Sequence, residues 1–396
     1  MKKIIALLLS LVMVFAIVAC TASTPAATTE GNSTPEYKVA LITDYGDITD
    51  QSFNQTTYEA CEAFAKDYNV EFTYKKPGDN NTEARVAMVD AAVADGYNVI
   101  VMPGYAFAGT IVEAAPKYPD VKFIALDVGV GDLLEAGVTA KGEAYDYNPD
   151  NWVLSDYVEM NNVYCAIYQE ELCGYMAGYA AVKLGYKELG FLGGMAVPAV
   201  VRYGYGFVQG ADAAAAELGQ PVNIKYAYGN QFYGDPDITA YMDTWYAAGT
   251  EVVFACGGGI YSSAAEAAAK VNGKVIGVDV DQAAIIDGLY GAGMTVTSAM
   301  KGLYPATYNT LKDVIINGNW ANYNGAIETL GLYSANPTEN YVQIPMESTQ
   351  WSDSFTKDDY TALVGKMLDG TIVVSNDITA EPAVTTAVVD YQGNIK

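Results

Sequence analysis

Tyr37-Lys38-Val39-Ala40-Leu41-Ile42-Thr43-Asp44-Tyr45-Gly46-Asp47-Ile48-Thr49-Asp50-Gln51-Ser52-Phe53-Asn54 sets the architecture of this 396-residue chain. Residues 37–43 form an apolar run, an Asp/Gly loop follows, and residues 52–68 carry apolar side chains near the 3.6 spacing of a helix. The unit is strand, loop, helix. It recurs at 70–74 with 82–95, at 99–102 with 106–115, and at 121–126 before Asp127. Past an irregular Gly/Asp stretch at 129–150, a strand at 163–167 leads into a helix at 170–184. A second series then sets strands at 189–192, 222–228, 252–255 and 274–278 against helices at 203–218, 239–248 and 262–271. One more strand at 294–298 and a helix at 302–316 follow, and 341–344 and 371–374 have strand character.

These strands are nearly continuous apolar runs, which belong to parallel sheets covered by helices on both faces. The expectation is an α/β chain with two Rossmann-like lobes built on parallel sheets, in which ligands sit beyond the carboxyl ends of strands. Lobe 1 is expected over 37–188 plus about 293–325, and lobe 2 over 189–292 plus about 326–396. No short repeat supports duplication, so the likeness of the halves rests on pattern alone.

Composition narrows the function. Lys plus Arg number 21 against 47 Asp plus Glu, a formal charge of −26, so the attraction to phosphate backbones is missing and no nucleic-acid partner is expected. Histidine is absent, which removes Ser-His-Asp and Cys-His nucleophile pairs, the commonest general base and the usual transition-metal ligand. The chain is not expected to be an enzyme, and no cofactor or metal is expected. Asp44, Asp47 and Asp50, three apart, do not match a calcium loop, which needs alternating oxygen ligands and a closing Glu. Cys61, Cys165, Cys173 and Cys256 lack C-x-x-C spacing and read as buried free thiols, with a Cys165–Cys173 disulfide as the alternative.

Lys2 and Lys3 precede an apolar run at 4–18, which matches a secretory signal peptide over 1–19. The run ends Ile17-Val18-Ala19-Cys20, which resembles the bacterial lipobox, so Cys20 is the expected lipidation site and residues 20–36, rich in Thr, Ser, Ala, Pro and Gly, the tether. Cleavage removes two lysines and no acid, so the mature chain is more acidic still and the lipid must do the anchoring at the extracytoplasmic face of the membrane.

The loops after strands hold the candidate site. Helix-start amides and the polar side chains of Asp44, Asp50, Ser52 and Asn54 can orient a ligand, and Phe53 offers a flat face. Plain helix capping by Asp50 or Ser52, with Phe53 in the core, explains the same residues. Gly193-Gly194 and Gly204-Tyr205-Gly206-Phe207 form the equivalent entry in the second lobe, with Phe207 at its edge. Gly257 and Gly258, in Cys256-Gly257-Gly258-Gly259, lack the third glycine of a dinucleotide fingerprint and read as a tight turn or a close approach to a ligand. Asp127 and Asp279 each end an apolar strand, where a carboxylate can accept two hydroxyl hydrogens of a diol, and Lys301 can pair with one of them.

Together, the lipobox, the tether, Asp50-Gln51-Ser52-Phe53-Asn54-Gln55, Gly193-Gly194 with Gly206-Phe207-Val208-Gln209-Gly210, Gly277-Val278-Asp279-Val280-Asp281-Gln282 and Thr297-Ser298-Ala299-Met300-Lys301 resemble the basic membrane protein family of bacterial lipoproteins, which includes purine nucleoside receptors of ABC transporters. The resemblance implies a type I periplasmic-binding-protein fold, with a hinge and an interlobe cleft, that closes on a nucleoside and hands it to a permease and its ATPase, as a monomer. It implies that Phe53 and Phe207 sandwich the base, that Asn54 with Asp50 or Asp44 reads its edge, and that Asp279 with Lys301 holds the ribose. Asp127 and Gly257 to Gly259 are secondary candidates. The family usually has a lysine where Gln51 stands, and the 129–150 stretch is longer than the family norm, which would alter the ligand that fits if the stretch folds over the cleft. A sugar or other small-solute receptor or sensor of the same fold is the alternative, and a surface nucleoside hydrolase using Asp44 and Asp50 is a third reading.

Overall fold

The computed structural model describes residues 36–396, of which Tyr37–Lys396 form one compact unit. The signal peptide, Cys20 and the tether up to residue 35 lie outside the described residues. In chain order the elements are β1 (Lys38–Ile42), α1 (Phe53–Tyr68), β2 (Glu71–Lys75), α2 (Thr82–Ala94), β3 (Val99–Pro103), α3 (Ala108–Lys117), β4 (Lys122–Leu126), α4 (Val130–Ala140) and β5 (Val163–Tyr168). Then come α5 (Glu170–Lys183), β6 (Glu188–Gly193), α6 (Pro198–Leu218), β7 (Val222–Tyr228), α7 (Pro236–Ala247), β8 (Val252–Cys256), α8 (Tyr261–Ala269), β9 (Lys274–Asp279), α9 (Ala283–Tyr290) and β10 (Thr295–Lys301). The chain ends with α10 (Leu303–Leu311), β11 (Ile327–Leu330), β12 (Val342–Gln343), α11 (Lys357–Leu368) and β13 (Ala387–Asn394).

Two sheets result, ordered β11-β5-β4-β3-β1-β2 and β12-β10-β9-β8-β6-β7-β13. All pairings are parallel except β10 with β12. The run β5-β4-β3-β1-β2 in one sheet follows the same order as β10-β9-β8-β6-β7 in the other, so the two lobes are topological copies. Both faces of each sheet are covered, which is why the strands read as unbroken apolar runs. In β1, Val39 and Leu41 pack with Cys61 and Phe64 of α1, while Ala40 and Ile42 pack with Val89 of α2 and Ile111 of α3. In β8, Val252 and Phe254 turn to one face while Val253 and Ala255 meet Trp245 on the other.

The chain passes between lobes three times, and these crossings correct the expected boundaries. It leaves the first sheet after β5, so α5 packs on α6 and β10 in the second lobe although 170–188 was assigned to the first. Strand β10 pairs with β9 in the second sheet although 293–325 was assigned to the first; only α10 returns, against α1. Strand β11, assigned to lobe 2, pairs with β5. An apolar run shows that a segment is a buried strand but not which sheet accepts it. The crossings are tied together: Gln169 N donates to Leu330 O (3.0 Å), Gly302 N to Tyr341 O (2.7 Å) and Tyr341 N to Gly331 O (3.1 Å).

The stretch 129–150, expected to be irregular, contains α4, whose Leu133, Leu134 and Val138 are buried and whose start is closed by Gly129 N donating to Asp132 Oδ2 (2.8 Å). Its glycines hid the helix; Gly137 is there because a Cβ would sit 2.9 Å from Val158 Cγ2 and from the Tyr157 carbonyl oxygen. Residues 371–374 form no strand, and α9, β11 and β13 were not anticipated. Among the described residues, Cys61, Cys165, Cys173 and Cys256 are all free and buried, so the Cys165–Cys173 alternative does not hold.

Helices α5 and α6 touch backbone to backbone. A Cβ at Gly174 or Gly178 would come within 3.0 Å of the Tyr203 or 2.9 Å of the Phe207 carbonyl carbon, and one at Gly206 or Gly210 within 2.7 Å of that of Glu171 or Tyr175. The glycine pattern around Phe207 is therefore a helix-packing surface.

Candidate functional site

A cavity of about 430 Å3 lies between the lobes, beyond the carboxyl ends of both sheets. The first lobe supplies Asp44, Tyr45, Asp50, Phe53 and Asn54 from the β1–α1 loop, Gly104 and Tyr105 after β3, and Asp127 after β4. The second supplies Val197, Val200 and Tyr203 from the start of α6, Phe232 and Tyr233 after β7, Gly257 to Gly259 after β8, and Asp279 at the end of β9. Lys301 enters from the crossing end of β10.

Asp127 and Asp279 hold matching places, each at the end of the fourth strand of its lobe, in left-handed backbone with φ of 59° and 65°. Aspartate tolerates that conformation better than most residues. Between them stands the Lys301 ammonium, paired with Asp127 Oδ2 and lying 3.5 Å from Glu170 Oε1 and 3.7 Å from Asp279 Oδ1. The rings of Phe53, Tyr168 and Tyr203 surround it at 4.6, 5.4 and 5.6 Å. Glu170, fully buried at the start of α5, also accepts from Arg202 Nε (2.7 Å). Burial acts to lower the Lys301 pKa, but Asp127, Asp279 and Glu170 more than offset it and hold the amine charged. Burial pushes the Asp127 carboxyl upward, against the pull of Lys301. Asp127 Oδ1 and Asn54 Oδ1 are buried acceptors without a protein donor, which suits ligand hydroxyl or N–H groups.

Asp44 takes the amides of Tyr45 (2.6 Å) and Gly46 (2.8 Å) on Oδ1, and burial raises its pKa against those amides and Arg85. Asp50 lines the cavity, but its oxygens are filled by the amides of Ser52, Asn54 and Gln55 and by Asn54 Nδ2, so it is the cap of α1. That arrangement gives the hydrolase reading no free carboxylate pair. Ser52 is buried off the wall and donates to Asp279 Oδ2 across the lobes (2.5 Å); Gln282 Nε2 reaches Gln51 O (3.1 Å) beside it.

Phe207 corrects the expectation. It is wholly buried against Phe191 and Phe254, one turn of α6 beyond Tyr203, and does not line the cavity. The aromatic wall of the second lobe is Phe232, whose ring lies on the backbones of Gly194 and Gly257, where a Cβ at Gly257 would be 2.7 Å from Phe232 Cδ1. Its edge meets Tyr105 of the other lobe at 6.5 Å. Sequence reading found the glycine bed but not the ring on it; the signal was an aromatic pair between Gly229 and Gly234 directly after a strand. Glu170 and Arg202 were also missed, because a helix start beneath a site carries no motif.

Behind the cluster, Glu171 is buried with Oε2 unpartnered, and burial with the neighbouring Glu170 pushes its pKa up to about 7; burial raises Asp132 to about 6. A carboxyl whose folded-state pKa is raised gives stability that is complete below its ordinary pKa and is lost as pH rises through the folded value. Denaturant unfolding is therefore expected to show stability falling from pH 5 to 7.5, with Glu171→Gln removing about 2 kcal/mol of that fall. An identical slope in the variant would contradict the burial of an ionisable Glu171.

A sequence profile for the family described as ABC transporter substrate-binding protein, PnrA-like, matches residues 37–362. The chain is 25% identical over 294 residues to the ABC transporter nucleoside-binding protein BmpA of Lactococcus lactis subsp. cremoris (strain MG1363), covering 71% of this chain and 74% of that protein. It is 25% identical over 305 residues to an uncharacterized lipoprotein of Pyrococcus abyssi (strain GE5 / Orsay), covering 74% and 67%. Among solved structures, an ABC transporter solute-binding protein from Aeropyrum pernix K1 shares the fold, with a TM-score of 0.61 and 20% identity over 86% of this chain and 88% of that one.

Proposed function

This chain belongs to the family of PnrA-like substrate-binding proteins of ABC transporters, a family of receptors rather than enzymes, and from that premise we propose that it captures a purine nucleoside and delivers it to a membrane permease. One observation carries the reading: a cavity between the lobes with an aromatic ring from each, Phe53 and Phe232, and a Lys301 cluster whose carboxylates can take a diol. Stacking contributes roughly 1–3 kcal/mol per base, so two rings and a diol clamp suffice for micromolar binding. The donor-free acceptor Asn54 Oδ1 and the cavity-lining Asp44 support readout of a base edge. The name of the Lactococcus relative supports the substrate class. Lobe closure about the three crossings hides the ligand from water.

We place the protein at the extracytoplasmic face of the cell membrane as a monomer held by lipid on Cys20. The lipoprotein name of the Pyrococcus relative supports the lipid anchor. No helix among the described residues is long and apolar enough to cross a membrane.

A thermal-shift screen against nucleosides, free bases, ribose and other sugars tests the reading, since a ligand specific to the folded state raises Tm. Inosine, guanosine or adenosine is expected to give the largest shift. Phe232→Ala is expected to weaken that binding by about 10–100-fold, the loss of one stacking face. Phe207→Leu is expected to lower Tm without changing affinity. Equal affinity losses in both variants would contradict the assignment of Phe232 as the wall, and a shift with sugars alone would overturn the nucleoside reading.

A further inference from the structure

Strand β13 lies outside the 37–362 stretch matched by the family profile, yet it runs directly to the loop that carries Phe232. It pairs with β7 from Ala387 opposite Val222 to Tyr391 opposite Tyr226, and again at Asn394 opposite Tyr228. Ile395 N then donates to Tyr228 O (2.8 Å), so the chain continues alongside residues 229–235. There the Lys396 ammonium pairs with Asp235 and lies 3.5 Å from Asp237. Asp235 is the junction of the loop: it caps α7 through the amides of Asp237 (2.9 Å) and Ile238 (3.0 Å) and accepts from Gln231 Nε2 (2.7 Å), beside Phe232. Further along α7, Gln392 Oε1 accepts from Tyr241 OH (2.8 Å) and Trp245 Nε1 (3.0 Å). At its other end the strand is fixed by Asp212 of α6, which takes the amides of Thr385, Thr386 and Ala387.

We propose that the C-terminal strand is a brace for the aromatic wall, with Gln392 and Lys396 as positioning residues that fix the 229–235 loop, and so Phe232, through α7 and Asp235. Its consequence for nucleoside affinity rests on the proposed function; the brace itself does not. A single solvent-facing ion pair is worth little, but the brace ties the two ends of the loop, at Tyr228 and Asp235, and so adds to the bonds that hold it from the other side: Gly229 N to Gly193 O (2.8 Å), Asn230 N to Gly194 O (2.9 Å), Gly259 N to Phe232 O (2.9 Å) and Asp235 N to Ser263 Oγ (2.9 Å).

The test is amide hydrogen exchange of the full chain without ligand, comparing wild type, Lys396→Met, the double variant Lys396→Met/Gln392→Leu, and Leu363→Ala, a core change in α11 remote from the loop. Faster exchange at Gly229, Asn230 and Asp235 in the Lys396 and double variants, absent from the 44–54 loop and from Leu363→Ala, is the expected result. Unchanged exchange, or the same increase in Leu363→Ala, overturns the brace. Titration with the nucleoside that binds wild type is expected to show about threefold weaker binding in Lys396→Met, with ribose affinity unchanged. Unchanged nucleoside affinity overturns the brace's role in the wall. Wild type that binds no nucleoside overturns the proposed function, while the exchange result still decides the brace.

Discussion

Lys301→Met is expected to abolish ligand capture and to lower the unfolding free energy at pH 7.5 by about 3–5 kcal/mol, the range for removing one partner from a buried ion pair. Lys301 is the only cation touching Asp127 and Asp279 among the described residues, whereas Glu170 keeps Arg202. Without the ammonium, Asp127 and Asp279 remain buried at the ends of their strands, with Ser52 and Tyr203 as donors to Asp279 alone. Loss of the ammonium pushes the Asp127 pKa, already raised by burial, further above its unfolded value, so the cheapest response is for that carboxyl to take up a proton. Stability of the variant should then be largest at low pH and fall as pH rises, so the deficit relative to wild type shrinks at pH 5. Lys301→Met/Asp127→Asn is expected to recover part of the stability and none of the binding. A deficit that is constant between pH 5 and 8 would contradict the assignment of Lys301 as the counter-charge.

The second large effect lies away from the cleft. Gly206→Val is expected to cost about 3 kcal/mol or more, at or beyond the upper end of ordinary overpacking, or to leave no folded protein. Overpacked side chains usually escape by changing rotamer. Here the obstructing atoms are the backbone of Glu171, whose Cα would lie 2.7 Å from the new Cβ, so α5 and α6 would have to separate. Both helices carry cluster residues, Glu170 at the start of one and Arg202 and Tyr203 on the other. A surviving fraction should therefore bind ligand weakly as well. Gly219→Ala, at the end of the same helix with nothing near its Cβ, bears only the strain of a φ of 62° and should cost about 1 kcal/mol. Comparable Tm losses in the two variants would show that the helix contact does not demand glycine.

The paired lobes were legible because parallel strands covered on both faces leave unbroken apolar runs, and 37–43, 121–126 and 274–278 all became inner strands. Lobe membership was not, since β10 and β11 exchange sheets by a topology that local periodicity does not encode. At the site, the strand-end carboxylates could be picked out because Asp127 and Asp279 each follow an apolar run; the structure sets both against Lys301. Phe207 misled because glycines beside an aromatic have two physical uses, making room for a ligand or for a second backbone, and around α6 the second applies. Phe232 escaped because its place depends on Gly194 and Gly257, which come from loops far apart in sequence and meet only when β6, β7 and β8 pair. Capping accounts for Asp50, which closes the start of α1, but neither capping nor ligand contact accounts for Ser52, which is buried off the wall and bonds Asp279 across the cleft.

Calorimetric titration of the chain with inosine, guanosine and adenosine tests the central claim most directly. The expected result is one site per chain with a Kd near micromolar or tighter for at least one of them, weakened by Phe53→Ala and by Phe232→Ala, and no binding to Lys301→Met. Saturable binding of a sugar, with no heat from any nucleoside, would contradict it.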